Sequence, residues 1–125
     1  MIPEELRYTP EHEWVAPGGS AVKVGITDFA QDALGDIVYV QLPDPGTAVE
    51  AGQAFGEVES TKSVSEIYAP LSGTVVTRND RLADEPELIN TDPYGAGWLV
   101  EIQPTDPAGV EHLLDAAGYC DLTKK

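Results

Sequence analysis

The 125-residue sequence predicts a mostly β protein, and three observations carry that prediction. Twelve glycines and ten prolines fall between short apolar stretches along the whole chain, which is the spacing of turns between strands. Several of those stretches alternate apolar with polar residues, the period of two that a half-buried strand requires. Apolar residues at helical spacing are confined to two short segments, near 28–34 and near 107–117. The length sets the expectation of one domain, residues 1–125, with a single core that buries roughly two thirds of the unfolded surface.

In chain order, Glu11 to Ala16 alternates, Pro17 to Ser20 supplies a turn and Ala21 to Ile26 returns, so residues 11–26 predict a hairpin. On that alternation His12 and Trp14 share a face, and Trp14 reads as core, as does Trp98. Thr27 or Asp28 can cap a helix over 28–34, where Phe29 with Ala33 and Ala30 with Leu34 make i,i+4 pairs, and Gly35 suits the left-handed residue that closes it. Ile37 to Leu42 predicts a strand, stopped by Pro43 to Gly46. Ala54 to Glu59 and Val64 to Tyr68 predict the arms of a hairpin over about 54–68, and Thr74 to Thr77 a strand after the turn at Pro70 to Gly73. Residues 80–97 read as a long loop and Trp98 to Ile102 as the last strand. In the second helix Asp106 caps, Pro107 takes the first position, and Val110, Leu113, Leu114 and Ala117 form a stripe before Gly118. A weak repeat lays Gly46 to Phe55 on Gly73 to Leu82, as two β-units related by a pseudo-two-fold would.

Seven basic residues stand against twenty-two acidic ones, a net charge of −15. That sign repels a phosphate backbone and an anionic lipid surface, so nucleic acid and membranes are not expected partners. The longest purely apolar run, Ile37 to Val40, is far below the ~20 residues that cross a bilayer. Met1 to Leu6 shows neither a basic-then-apolar leader nor an Arg-rich transit pattern, and the single Cys120 cannot close an internal disulfide, so cytoplasm is the expected compartment. Cys120, His12 and His112 do not make a zinc set, and no metal is expected. The chain contains no Gly-x-Ser-x-Gly elbow, no phosphate loop and no His-Glu-x-x-His helix, and its carboxylates lack the spacing of a calcium loop.

Lysine is the informative residue type, because the chain has only four: Lys23, Lys62, Lys124 and Lys125. Two of these end the chain, and Lys23, between Val22 and Val24, points to solvent on alternation. Lys62 sits in Glu57-Val-Glu-Ser-Thr-Lys-Ser-Val-Ser-Glu66, where β-prone arms close on a polar tip without a nearby Gly or Pro. One reading makes it a gatekeeper charge that discourages edge pairing. The other makes it an attachment point, since a neutral amine is nucleophilic, a tip is reachable, and an amide formed there carries a long arm on a rigid base.

Glu59-Ser-Thr-Lys-Ser63, followed by Ala69-Pro-Leu-Ser-Gly73, is preceded by Tyr8-Thr-Pro-Glu-His-Glu-Trp-Val15, Gly25-Ile-Thr-Asp-Phe-Ala-Gln31 and Leu34-Gly-Asp-Ile-Val-Tyr-Val40. With Leu88-Ile-Asn-Thr-Asp-Pro-Tyr94, Gly97-Trp98 and Ile102-Gln-Pro104, these segments closely resemble the glycine cleavage system H proteins, in one register over about residues 6 to 118.

The resemblance implies a barrel-sandwich hybrid fold of the lipoyl/biotinyl type and a carrier with no catalytic residues, in which Lys62 receives lipoic acid through an amide. The implied partners are a glycine decarboxylase (P protein) that loads an aminomethyl group, an aminomethyltransferase (T protein) that unloads it, a dihydrolipoyl dehydrogenase (L protein) that reoxidises the dithiol, and the lipoyl/octanoyl transferase that attaches the arm. A monomer is the expected state. In that family two carboxylates stabilise the loaded arm, and Glu13 and Glu66 stand at the matching positions, Glu66 where Asp is common. The plain alternative for both is solvated surface. His12 has no assigned part, and Cys120 reads as an incidental thiol. Other readings are a relay or regulatory H-like protein handing lipoate on, a lipoyl domain of a 2-oxoacid dehydrogenase, a biotinyl carrier, and an unmodified interaction domain. Lipoyl and biotinyl domains are shorter and lack the Tyr8 to Val15 segment, and a biotinyl domain sets Met beside its lysine where this chain has Thr61 and Ser63.

Overall fold

A computed structural model of the chain describes residues 3–17, 21–106, 109–110 and 113–123. Among these, nine strands run in two antiparallel sheets. The larger sheet contains β1 (Arg7–Tyr8), β2 (Glu13–Ala16), β3 (Val22–Ile26), β9 (Val100–Pro104), β8 (Gly73–Arg78) and β5 (Ala48–Val49), hydrogen-bonded in that order. The smaller contains β4 (Ile37–Gln41), β6 (Ala54–Ser60) and β7 (Val64–Tyr68), with β6 in the middle. This is a mostly β, two-sheet architecture of the barrel-sandwich type. The strands predicted over residues 11–26, 37–42, 54–59, 64–68 and 74–77 are all present within a residue or two. The last strand begins at Val100 rather than Trp98, and Gly18 to Ser20 of the first turn lie outside the described residues.

The inner face of the large sheet contributes Val15, Val24, Val75, Val100 and Ile102 to one apolar cluster. Ile37, Val40, Val58 and Ile67 of the small sheet form a second with Leu82, Ile89 and Leu99. Leu42 and Phe55 pack against both, so the space between the sheets is one continuous interior. A third cluster of Leu6, Tyr8, Trp14 and Tyr119 covers the outer face of β1 and β2. Strand β2 is therefore buried on both faces, which is why Glu13, Trp14 and Val15 are all buried in succession. Alternation assigns Trp14 to the outer cluster, where its ring occupies the room left by the missing side chain of Gly25 and its Nε1 donates to the Pro93 carbonyl at 2.9 Å. The partner of that ring is not His12. His12 lies before β2 with φ of +72°, a left-handed turn conformation, so strand alternation does not reach it.

Helix α1 (Asp28–Leu34) matches its prediction, with Thr27 as the cap: the Thr27 hydroxyl accepts from the Ala30 amide at 3.1 Å. Gly35 closes the helix at φ of +89°. Residues 80–97 are not the long loop expected. They hold two single-turn helices, α2 (Arg81–Asp84) and α3 (Leu88–Thr91), whose Leu82 and Ile89 are buried against the small sheet. Four-residue helices show no repeat in sequence, and turn-forming Asp80, Asp84 and Pro86 hide them. The C-terminal helix exists but lies further on, as α4 (Ala116–Thr123). Of the expected 107–117 span, Pro107, Ala108, Glu111 and His112 are outside the described residues, Gly109 and Val110 form a 3₁₀ turn, and Leu114 pairs with Tyr8 as a β-bridge. The apolar stripe is spent on the sheet: Val110 is buried in the inter-sheet cluster, and Leu114 exchanges both backbone hydrogen bonds with Tyr8. The two segments of the weak repeat lie side by side, with Ala48 and Val49 antiparallel to Thr74 and Gly73, but β5 is followed by a strand and β8 by α2.

Candidate functional site

The hairpin β6–β7 runs in register from Glu57↔Glu66 through Val58↔Ser65 to Glu59↔Val64, leaving Thr61, Lys62 and Ser63 as its tip. Ser60 replaces the missing Gly or Pro. Its backbone N–H donates to the Ser63 carbonyl at 2.8 Å, and its buried hydroxyl donates to the same carbonyl while accepting from the Lys62 and Ser63 amides, each at 3.1 Å. One serine hydroxyl thus satisfies two backbone amides that a tight turn leaves unpaired and adds a second donor to the Ser63 carbonyl. The sequence gives Ser60 as part of a motif, and a Ser at the end of a strand three residues before another turn residue is the signal for its role.

Lys62 is exposed, and among the described residues no ion pair holds its ammonium. Its stem runs beside the backbone of Gly35, where an added Cβ would stand 3.1 Å from Cε and 3.7 Å from Nζ. The Thr61 amide donates to the Asp36 carbonyl at 3.1 Å, so the tip rests on the turn between α1 and β4. An exposed amine on a hydrogen-bonded base has room for an amide to form, and in this respect the site fits an acyl arm. Lys23, the other described lysine, is exposed as expected, with its Nζ 5.3 Å from the ring centre of half-buried Trp98.

The two carboxylates differ. Glu13 is 2 % exposed and therefore not the solvated surface residue that composition alone suggests. Its Oε1 accepts from the Thr9 hydroxyl at 2.6 Å and its Oε2 from the Tyr68 amide at 3.2 Å, so it ties β2 of one sheet to β7 of the other. Burial pushes its carboxyl up to about 7, against the opposing pull of those two hydrogen bonds. Glu66 is exposed on the outer face of the small sheet, where the Tyr68 hydroxyl donates to its Oε1 at 3.4 Å. It lines a shallow groove of about 370 Å³ with Gln41, Phe55 and Glu57. Both carboxylates meet Tyr68, one at its backbone and one at its hydroxyl, and no hydrogen bond joins either to Lys62. The His12 ring faces away from both carboxylates, toward α4 and α1. Its Nδ1 lies 2.7 Å from the Tyr119 hydroxyl and its ring against Phe29, and burial lowers its pKa. Cys120 is an exposed free thiol on α4.

A two-sheet antiparallel β domain that presents one lysine at the tip of a hydrogen-bonded hairpin has the form of a carrier protein, in which the reactive group rides on a side chain. The comparisons with known proteins agree in detail. The family model for the glycine cleavage H-protein matches residues 6–125. The chain is 63 % identical over 124 residues to the glycine cleavage system H protein of Micrococcus luteus, covering 98 % of this chain and 97 % of that one. It is 61 % identical over 118 residues to the H protein of Anaeromyxobacter sp. (strain K), covering 94 % and 92 %. The crystal structure of a glycine cleavage system H protein from Mycobacterium marinum superposes with a TM-score of 0.87 at 50 % identity, covering 96 % of this chain and 97 % of that one. The chain belongs to the glycine cleavage H-protein family, the lipoyl-bearing shuttles of the glycine cleavage system.

Proposed function

We propose that Lys62 is the lysine that carries lipoate, and that residues 1–125 act as one carrier domain with no catalytic residue of their own. The observation that supports this most directly is the exposed Lys62 amine at a tip braced by Ser60 and by the Asp36 carbonyl. As the free base, Lys62 Nζ attacks the carbonyl carbon of an acyl thioester presented by a lipoyl/octanoyl transferase. The C–N bond forms, the C–S bond breaks, and the thiol leaves with the proton that the amine gives up. Once attached, lipoate supplies two-electron dithiol and disulfide exchange and a sulfur able to hold an aminomethyl group. The hairpin fixes the root of the arm, so a docked enzyme meets it at an effective concentration of order millimolar.

The enzymes that fit this role are the glycine decarboxylase, the aminomethyltransferase and the dihydrolipoyl dehydrogenase. With a net charge of −15, the surface suits docking on basic faces of those partners. Glu66, exposed and touched among the described residues by the Tyr68 hydroxyl, can pair with an ammonium on the loaded arm. Glu13 is enclosed, with one hydrogen bond already on each oxygen, so an ammonium must enter between the sheets to reach it, and once beside it would draw its pKa back down. The reading assigns a monomer to the cytoplasm, in keeping with one free cysteine.

The test is intact mass with peptide mapping of protein made in a lipoylating host. One added lipoyl group on the peptide containing Lys62 is the expected result. Unmodified Lys62 in a host that lipoylates its other carriers refutes the assignment.

A further inference from the structure

Asn90, on α3, stands far in sequence from the lysine hairpin yet uses its amide on the turn that the hairpin rests against and on the helix before it. Its Nδ2 donates to the Gln31 side-chain oxygen at 2.9 Å and to the Gly35 carbonyl at 2.8 Å, and its Oδ1 accepts from the Ile37 amide at 2.8 Å. The bond to the Gly35 carbonyl and the bond from the Ile37 amide thereby bracket Gly35 and Asp36 from both sides, and the third bond ties the strut to α1. The same two residues touch the hairpin tip, because the Asp36 carbonyl accepts from Thr61 and the Lys62 stem passes over Gly35. Gly35 has φ of +89° and ψ of −158°, a conformation open to glycine and closed to other residues. Ile89, beside Asn90, is fully buried in the cluster of the small sheet, so the strut is anchored in the core.

We infer that Asn90 is a positioning residue for the acylation of Lys62: it holds the Gly35–Asp36 turn as a fixed wall, and that wall sets where the amine stands. This rests on Lys62 being the acylated lysine. In the acyl transfer the Lys62 nitrogen bonds to the acyl carbon and a thiol departs with the displaced proton, and the role of Asn90 is to raise the fraction of chains whose amine is in line for attack. Gln31 receives only one of its three bonds, so losing that bond alone leaves the wall standing.

The experiment compares wild type, Asn90→Asp, Asn90→Ser and Gln31→Ala as acceptors for a lipoyl/octanoyl transferase supplied with an octanoyl carrier-protein thioester. Acylation is followed by intact mass over a range of acceptor concentrations, and amide hydrogen exchange is measured at Thr61, Val58 and Ile67. Asp has the shape of Asn and can still accept from Ile37, but it cannot donate and sets an oxygen against the Gly35 carbonyl, so the donor half of the clamp is lost; Ser removes the reach without adding charge. The expected result is a fall in kcat/KM of about tenfold or more for both Asn90 variants, with KM carrying most of it. Thr61 exchange accelerates, Val58 and Ile67 keep their protection, and Gln31→Ala stays close to wild type. Unchanged acylation or unchanged Thr61 exchange in the Asn90 variants overturns the inference. So does loss of protection at Val58 in parallel with Thr61, or loss of the cooperative fold in both variants, since Asn90 would then support the whole domain and not the tip. Absence of wild-type acylation at Lys62 in the same assay would instead refute the attachment site.

Discussion

Replacing Glu13 with Gln should stabilise the protein at neutral and alkaline pH and leave it unchanged in acid. The buried carboxyl has its pKa raised from 4.5 to about 7, chiefly by burial. Between those values the folded state holds a proton that the unfolded state has lost, so stability from this group is full below pH 4.5 and disappears as pH rises through 7. At about 1.4 kcal/mol per pH unit, the span corresponds to about 3 kcal/mol, which is the cost of folding around a charged Glu13. A glutamine keeps the geometry. Its oxygen can accept from the Tyr68 amide, and its NH2 can donate to the Thr9 hydroxyl, which already accepts from the residue 13 amide at 3.1 Å. Urea unfolding followed by the fluorescence of Trp14 and Trp98 at a series of pH values gives the difference between variant and wild type. That difference should rise from near zero at pH 4 to about 3 kcal/mol by pH 8, with the rise lying between 4.5 and 7. Taking it at each pH cancels His12, whose lowered pKa makes its own contribution run the other way: present above 6.5 and lost as pH falls. A flat difference across the range would show that Glu13 is ionised at no cost, and the account of its burial would be wrong.

Lys62→Arg should abolish lipoylation and glycine turnover by the assembled system while shifting stability by under about 0.5 kcal/mol, because the side chain is exposed and unpaired among the described residues. Mass spectrometry and a thermal melt on the same sample check both halves. Tyr119→Phe should cost about 1–3 kcal/mol in urea unfolding. It keeps the ring stacked on Tyr8 at 4.7 Å and deletes the hydroxyl between His12 and Thr27. Loading of the lipoylated protein by the decarboxylase should slow as salt is raised from tens to hundreds of millimolar, as steering by a net charge of −15 is screened; a salt-independent rate would remove the electrostatic docking argument.

What could be read from the sequence was local. The hairpin arms at Ala54 and Val64, the Thr27 cap and the Gly35 stop each follow from a few neighbouring residues, and the structure retains them. The lysine tip was legible as a position, because β-prone arms bracket it, and the family motifs extend that reading across the chain. The C-terminal helix lies further along the chain than its apolar stripe predicts, for a tertiary reason. Its apolar stripe is the right composition for a helix face, but Leu114 finds Tyr8 and Val110 finds the inter-sheet cluster, and those contacts outweigh local propensity. The short helices α2 and α3 were invisible because a single turn has no period to detect.

The amino-acid order thus determined the mostly β class, the hairpin with Lys62 at its tip and the acidic surface, since strand alternation, turn residues and net charge are properties of adjacent residues or of simple sums. Only the tertiary structure decided that Glu13 is enclosed between two sheets and that Asn90 reaches the turn beneath the lysine. Burial and hydrogen bonding of this kind depend on which distant segments the fold brings together. Glu13 meets Tyr68 and Asn90 meets Gly35 across more than fifty positions of sequence, a separation that no local pattern records.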